Sequence, residues 1–199
     1  MNSERLTAAD WTVRPIEEHG EAHRLIRTWH YSKSAPNTST YRHGLYRAGE
    51  ILCGDAYGVA LWIPPTRTAA ENLAGDGWRR VLSLSRLAID PDVPTNGASF
   101  LLGRSMRLID RDRWPVLVTY ADTALGHTGA IYRATNWRCD GPVPAGDVWI
   151  DPSGARCGRK RGPRTFTAGE MLAMGMVRAA SLPKIRFVHV VAHAGGEAT

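Results

Sequence analysis

The sequence predicts an α/β or α+β fold in which helices pack on one central sheet. Three observations carry that expectation. Short apolar, β-prone runs alternate with segments whose apolar residues recur at helical spacing. A chain of 199 residues is long enough for one domain with a proper core. No internal repeat or low-complexity stretch interrupts it.

From Ile16 to Trp29 the apolar residues Ile16, Ala22, Leu25, Ile26 and Trp29 follow a helical period, and the helix must stop before Pro36 of "WHYSKSAP". His30 and Tyr31 stand at its exit. "YRHGLY" leads to "EILCGDAYGVALWIPP", two apolar runs broken by Gly54 and Asp55, which read as a hairpin ending at Pro64 and Pro65. Residues 66–77 read as a polar connector. In "RVLSLSRLAI" the apolar set passes from Leu82 and Leu84 to Leu87 and Ile89, a slip of one residue around Ser85 and Arg86. A β-bulge would produce that slip, and bulges favour the neighbourhood of sites.

After the turn "PTNGAS", a helix starting at Ala98 or Ser99 puts Leu101, Leu102, Ser105, Leu108 and Ile109 on one face. Arg104, Arg107 and Arg111 take the other. "WPVLVTYAD" reads as a buried strand, "TGAIYRATNW" as a short helix and "VPAGDVWID" as another strand. A basic loop at about 152–165 follows, then a C-terminal helix and strand at about 168–193. The helix is expected near Ala168 to Ala180, and the strand at "IRFVHVV".

Lysine and arginine number 25 against 19 aspartates and glutamates, a net charge of +6, with a pI near 9.6. That balance suits a partner carrying negative charge. "GARCGRKRGPR" concentrates Arg156, Arg159, Lys160, Arg161 and Arg164 without one acid. It is either a solvated loop or a set of phosphate contacts, since guanidinium pairs bidentately with phosphate. Cys53, Cys139 and Cys157 lack the spacing of a disulfide framework or zinc site and read as free thiols. No apolar run approaches a membrane span and the N-terminus lacks a signal-peptide layout, so a cytoplasmic protein is expected, with no membrane partner.

At the start of that helix the first amides lack intrahelical partners, so Asn96, Gly97, Ala98 and Ser99 form a candidate anion cradle. Gly97 would let a phosphate approach the backbone, and Ser99 would add a hydroxyl. The alternative is that Asn96 or Ser99 only caps the helix.

A bulged strand, a glycine turn, an amphipathic helix, a buried strand and a helix ending "IYRATNW" together resemble the core of the GNAT N-acetyltransferase superfamily. The resemblance implies a GNAT-like mixed sheet, with acetyl-CoA on a turn of pattern Arg/Gln-x-x-Gly-x-Gly/Ala. Here that pattern reads Pro94, Gly97 and Ser99, so only the central glycine matches. Tyr132 falls where the family places a tyrosine that protonates the departing thiolate.

"HYSKSAP", "LSRLAIDPDVPTNGASFLLGRS", "VTYAD", "GHTGAIYRATNW" and "LPKIRFVHVV" resemble, in joint order, the phage Mom family, a divergent GNAT relative. That resemblance implies conversion of adenine in double-stranded DNA to an N6-(methylcarbamoyl) derivative that blocks restriction. The implied site residues are His30, Tyr31, Ser99, Asp122 and Tyr132, with Tyr46 or Tyr57 as looser matches. Asp122 could accept a hydrogen bond from the adenine amine, and Tyr31 could stack on a flipped base. Each has a structural alternative: Tyr31 and Tyr132 as packing aromatics, Asp122 as a helix cap, His30 as a helix-end histidine. The family also points to Fe2+, for which His30, Asp122 and His127 are the candidate ligands. An N-acetyltransferase of a small amine or protein, and a non-catalytic DNA-binding module, are the competing functional readings.

Overall fold

Along the chain the elements are β1 (Trp11–Pro15), α1 (His19–Trp29), β2 (Tyr41–Arg47), β3 (Gly58–Ile63), α2 (Arg67–Ala74), β4 (Val81–Ile89), α3 (Gly97–Arg107), β5 (Val116–Asp122), α4 (Ala130–Ala134), β6 (Arg138–Val143), β7 (Val148–Ile150), β8 (Arg156–Cys157), β9 (Lys160–Arg161), β10 (Arg164–Thr165), α5 (Ala168–Ala173), β11 (Val177–Ala179) and β12 (Lys184–Val190). They are seen in a computed structural model that describes residues 5–49, 55–144, 147–180 and 182–190. The main sheet runs β1-β2-β3-β4-β5-β12-β6. Its first four strands pair antiparallel, and β4 pairs parallel with β5. The expected α/β sheet flanked by helices is therefore present.

The residues cluster into two units, one drawn from Met1–Thr119, Ala130–Cys139 and Phe187–Thr199, the other from Tyr120–Gly129 and Asp140–Arg186. In the first, α1 buries Ala22, Leu25 and Ile26 against Tyr46, Val59, Leu61 and Ala88. The helix begins at His19 rather than Ile16 because Ile16 still belongs to sheet hydrogen bonding: its N–H donates to Arg42 O at 2.8 Å. It ends at Trp29, with His30 as its cap.

Several expectations are corrected here. The hairpin partner of β3 is β2, with register Tyr41↔Trp62 to Leu45↔Gly58. The first run of the expected hairpin and Cys53 lie outside the described residues. Residues 66–77 are no connector: Thr66 accepts from Ala69 N and starts α2, which Arg67 and Glu71 brace one turn apart at 2.7 Å. A 3-10 turn, Gly75–Arg80, follows. β1 and β6 are additions to the strands that the sequence pattern predicts.

In the second unit, Trp149, Met171 and Met176 form the core, with Cys157 and Phe166 packed against it. β7 lies between β8 and β11. The basic segment is partly ordered, since β9 and β10 pair as Arg161↔Arg164 across Gly162, whose φ of +60° suits the turn. α5 is shorter than expected. Thr167 and Glu170 form a capping box at its start, and Gly175 at φ +77° ends it and turns the chain into β11. Cys139 and Cys157 are free thiols. Among the described residues no helix is long and apolar enough to cross a membrane.

Candidate functional site

The slip in the β4 pattern is a bulge. Leu61 pairs with Arg86 and Trp62 with Leu84, leaving Ser85 as the extra residue. The bulge aims Arg86 at the segment after α1: its Nε donates to Ser34 O at 2.7 Å and its Nη1 to Ser85 O at 2.7 Å. Burial lowers the Arg86 pKa from its ordinary value, and nearby Tyr31 acts in the opposite direction. Nothing in the sequence marks Arg86 beyond its place in the slip.

His30 and Tyr31 are held in that segment. Their rings lie 4.2 Å apart at 31°, and Tyr31 is 53% exposed. The N–H of Ser32 donates to His30 Nδ1 at 3.1 Å, so this nitrogen is an acceptor. His30 itself is buried.

β4 and β5 pair over three positions, Val81↔Val116 to Ser83↔Val118, and their ladder ends at the bulge. From there the chain passes to the turn before α3. The Asn96 side chain does not cap that helix. It grips Leu6 instead, accepting from Leu6 N at 2.8 Å and donating to Leu6 O at 3.2 Å. Ser99 Oγ donates to Asn96 O at 2.9 Å. At Gly97 a Cβ would meet Val93 Cγ1 at 2.3 Å, and its N–H already donates to Pro94 O at 2.8 Å. The cradle therefore reduces to the first-turn amides of Ala98 and Ser99, which no side chain caps.

Tyr132 lies on α4, with its ring 5.1 Å from Phe187 and 6.0 Å from Trp137. Its hydroxyl hydrogen-bonds with Thr119 of β5. Desolvation raises its pKa, opposed by that bond, so the phenol keeps its proton at neutral pH. Tyr46 is a core residue: Arg14 stacks 3.7 Å above its ring, and burial pushes its pKa up to about 12. Tyr57 packs edge-on against Trp11 at 5.2 Å.

Asp122 and His127 belong to the second unit. Asp122 Oδ1 accepts from Ala124 N at 3.2 Å and caps the 3-10 turn Thr123–Leu125, while Oδ2 lies 3.4 Å from Lys184 Nζ. Among the described residues no three His, Cys, Asp or Glu side chains gather as metal ligands. Of the expected iron ligands, His30 belongs to the first unit, and Asp122 and His127 to the second. In the basic segment, Arg164 pairs with Glu170 and stacks on Phe166 at 4.5 Å, whereas Lys160 and Arg161 are exposed. The side chain of Arg156 lies outside what the structure describes.

Residues 10–143 match the family model described as the Mom protein family. The chain belongs to that family. This Mom family chain matches no curated protein. Its fold is shared with solved acetyltransferases. A ribosomal-protein-S18-alanine N-acetyltransferase from Escherichia coli aligns with TM-score 0.54 and 11% identity, over 95% of this chain and 99% of that one. An acetyltransferase from Bacillus subtilis in complex with CoA aligns with TM-score 0.53 and 9% identity, over 92% and 99%. A spermidine N-acetyltransferase from Vibrio cholerae gives 0.53 and 11%, over 91% and 94%.

Proposed function

We propose that this Mom family chain is a transferase that modifies N6 of adenine in double-stranded DNA, giving an N6-(methylcarbamoyl)adenine, with acetyl-CoA or a related thioester as donor. The reading is supported by three features of one unit: uncapped amides at α3, a short β4–β5 ladder that stops before the bulge, and a Tyr132 hydroxyl beside Thr119 whose pKa is raised. Family membership supports DNA as the acceptor.

A bound thioester supplies the electrophilic carbon. The amides of Ala98 and Ser99 fit a pyrophosphate, because they and the helix dipole offer donors to an anion. Tyr132 Oη holds a proton ready for a leaving thiolate. Tyr31 offers an exposed ring face to a flipped adenine, and Arg86 donates beside it. The basic hairpin holds DNA phosphates. Acetyl transfer alone, with loss of the thiolate, gives N6-acetyladenine; a methylcarbamoyl product, with its N6–CH2 bond and terminal amide, requires in addition a nitrogen-bearing reactant and a two-electron oxidant.

Mass spectrometry of nucleosides from DNA of cells expressing the chain tests this. The expected result is a heavier deoxyadenosine that disappears with Tyr132→Phe. Unmodified DNA, together with acetyl transfer to spermidine or a protein amine by the purified chain, overturns it in favour of an N-acetyltransferase.

A further inference from the structure

The stretches of β5, β12 and β6 that belong to the second unit carry a polar set: Tyr120 and Asp122 on β5, Lys184 and Arg186 on β12, and Asp140 on β6. Standing two positions apart on one strand, Tyr120 and Asp122 share a face, and so do Lys184 and Arg186. Contacts across the strands join them. Arg186 donates through Nε and Nη2 to Asp140 Oδ2, at 2.6 and 2.5 Å, and Lys184 Nζ lies 3.4 Å from Asp122 Oδ2. The charges of Arg186 and Asp140 both act on the Tyr120 phenol.

Each carboxylate of this set is answered by a cation, so the set suits a neutral ligand better than a phosphate. The Arg186 and Asp140 side chains are 21% and 17% exposed, and a pair so far withdrawn from water adds little net stability. Tyr120 is partly buried, and desolvation raises its pKa, so the hydroxyl keeps its proton at neutral pH. Arg186 acts against that shift, which makes the O–H a stronger donor. Yet Tyr120 Oη makes no hydrogen bond among the described residues. A partly desolvated donor with no acceptor in its own chain matches an acceptor on a ligand.

We propose that Tyr120, beside the Asp140–Arg186 pair, reads the acceptor base by donating a hydrogen bond to N1 of a flipped adenine. Adenine N1 is a bare acceptor, whereas guanine carries a hydrogen there and would meet the phenol proton with its own. In a duplex N1 is occupied by the pairing base, so it is open to Tyr120 only once adenine has left the stack. The contact leaves the neighbouring amine free to react. The inference rests on DNA as the acceptor and is independent of the group transferred.

The test is fluorescence anisotropy, without a donor, on short duplexes carrying one adenine opposite an abasic site, where flipping costs least. The same duplex is made with 1-deazaadenine and with 7-deazaadenine at that position. The parent protein should bind the 1-deaza duplex about 3- to 10-fold more weakly than the adenine and 7-deaza duplexes, the range for one lost hydrogen bond. Tyr120→Phe should weaken binding of the adenine and 7-deaza duplexes by the same factor and leave the 1-deaza duplex unchanged. Equal losses on all three duplexes would make Tyr120 a structural residue and overturn the proposal, as would a parent protein indifferent to the N1 atom or sensitive to N7 instead. Because no transfer step enters the assay, selective binding by a chain that leaves DNA unmodified would sink the transferase reading alone. Modified DNA without N1 dependence would sink this proposal alone.

Discussion

Gly97 lies so close to Val93 that a methyl group on its Cα would come within 2.3 Å of the valine Cγ1. Both are buried under the turn, beside Leu6, whose backbone Asn96 grips. Gly97→Ala is therefore expected to destabilise the protein by about 1–3 kcal/mol, the usual cost of overpacking, despite the better helix propensity of alanine. Urea titration measures it. Val93→Ala added to Gly97→Ala should recover part of the loss, which a defect in ligand binding would not do.

His43 and Ser105 set a second expectation. Trp62 Nε1 donates to Ser105 Oγ at 2.8 Å, and the same oxygen shares a hydrogen bond with His43 Nδ1 at 2.7 Å. Burial lowers the His43 pKa from 6.5 to about 4. The unfolded chain binds a proton near pH 6.5 and the folded one only near 4, so stability falls as pH drops through that window. The loss is roughly 3 kcal/mol at its limit. A stability profile from pH 7 to 4 should show that slope, and His43→Asn should flatten it. Ser105→Ala strands two buried partners and should cost about 1–3 kcal/mol for each.

Tyr132→Phe removes one hydroxyl from a ring that Phe187 and Trp137 continue to hold. Folding and CoA affinity should stay within about twofold of the parent, since the packing is unchanged. Turnover should fall about 100-fold or more, the range for a lost general acid. Rapid-quench or mass-spectrometric rates beside a CoA titration separate the two effects. Equal losses in rate and CoA affinity would make Tyr132 a packing residue.

Periodicity makes the framework legible. The one-residue phase slip in "LSLSRLAI" is the bulge at Ser85, and the apolar face of Leu101, Leu102 and Ser105 is the buried face of α3. α2 escapes such a reading because its stability comes from a cap and an ion pair rather than an apolar stripe; Ala70 is its buried residue. The site is less legible, because tertiary partners decide what each side chain does. Asn96 has the local pattern of a cap and holds Leu6, from which it is 90 residues distant. Gly97 has the pattern of a phosphate glycine and fits against Val93. Arg86 has no local signature, and its role emerges once the bulge turns it toward Ser34.

The five basic residues of "GARCGRKRGPR" should not contribute equally to DNA affinity. Arg164 pairs with Glu170 across an exposed capping box and stacks on Phe166, so part of its charge is already answered. Arg159, Lys160 and Arg161 have no carboxylate within ion-pair distance among the described residues, and a turn at Gly162 presents the last two on one short hairpin. Each DNA phosphate that a substitution leaves without its cation lowers the slope of log affinity against log salt by about 1. Neutralising Arg159, Lys160 and Arg161 to glutamine is expected to lower that slope by about 2–3, whereas Arg164→Gln should change it by less than about 1. Fluorescence anisotropy on a short duplex between about 50 and 200 mM salt reads both variants. Equal slopes for the triple variant and the parent would remove the hairpin from the DNA interface.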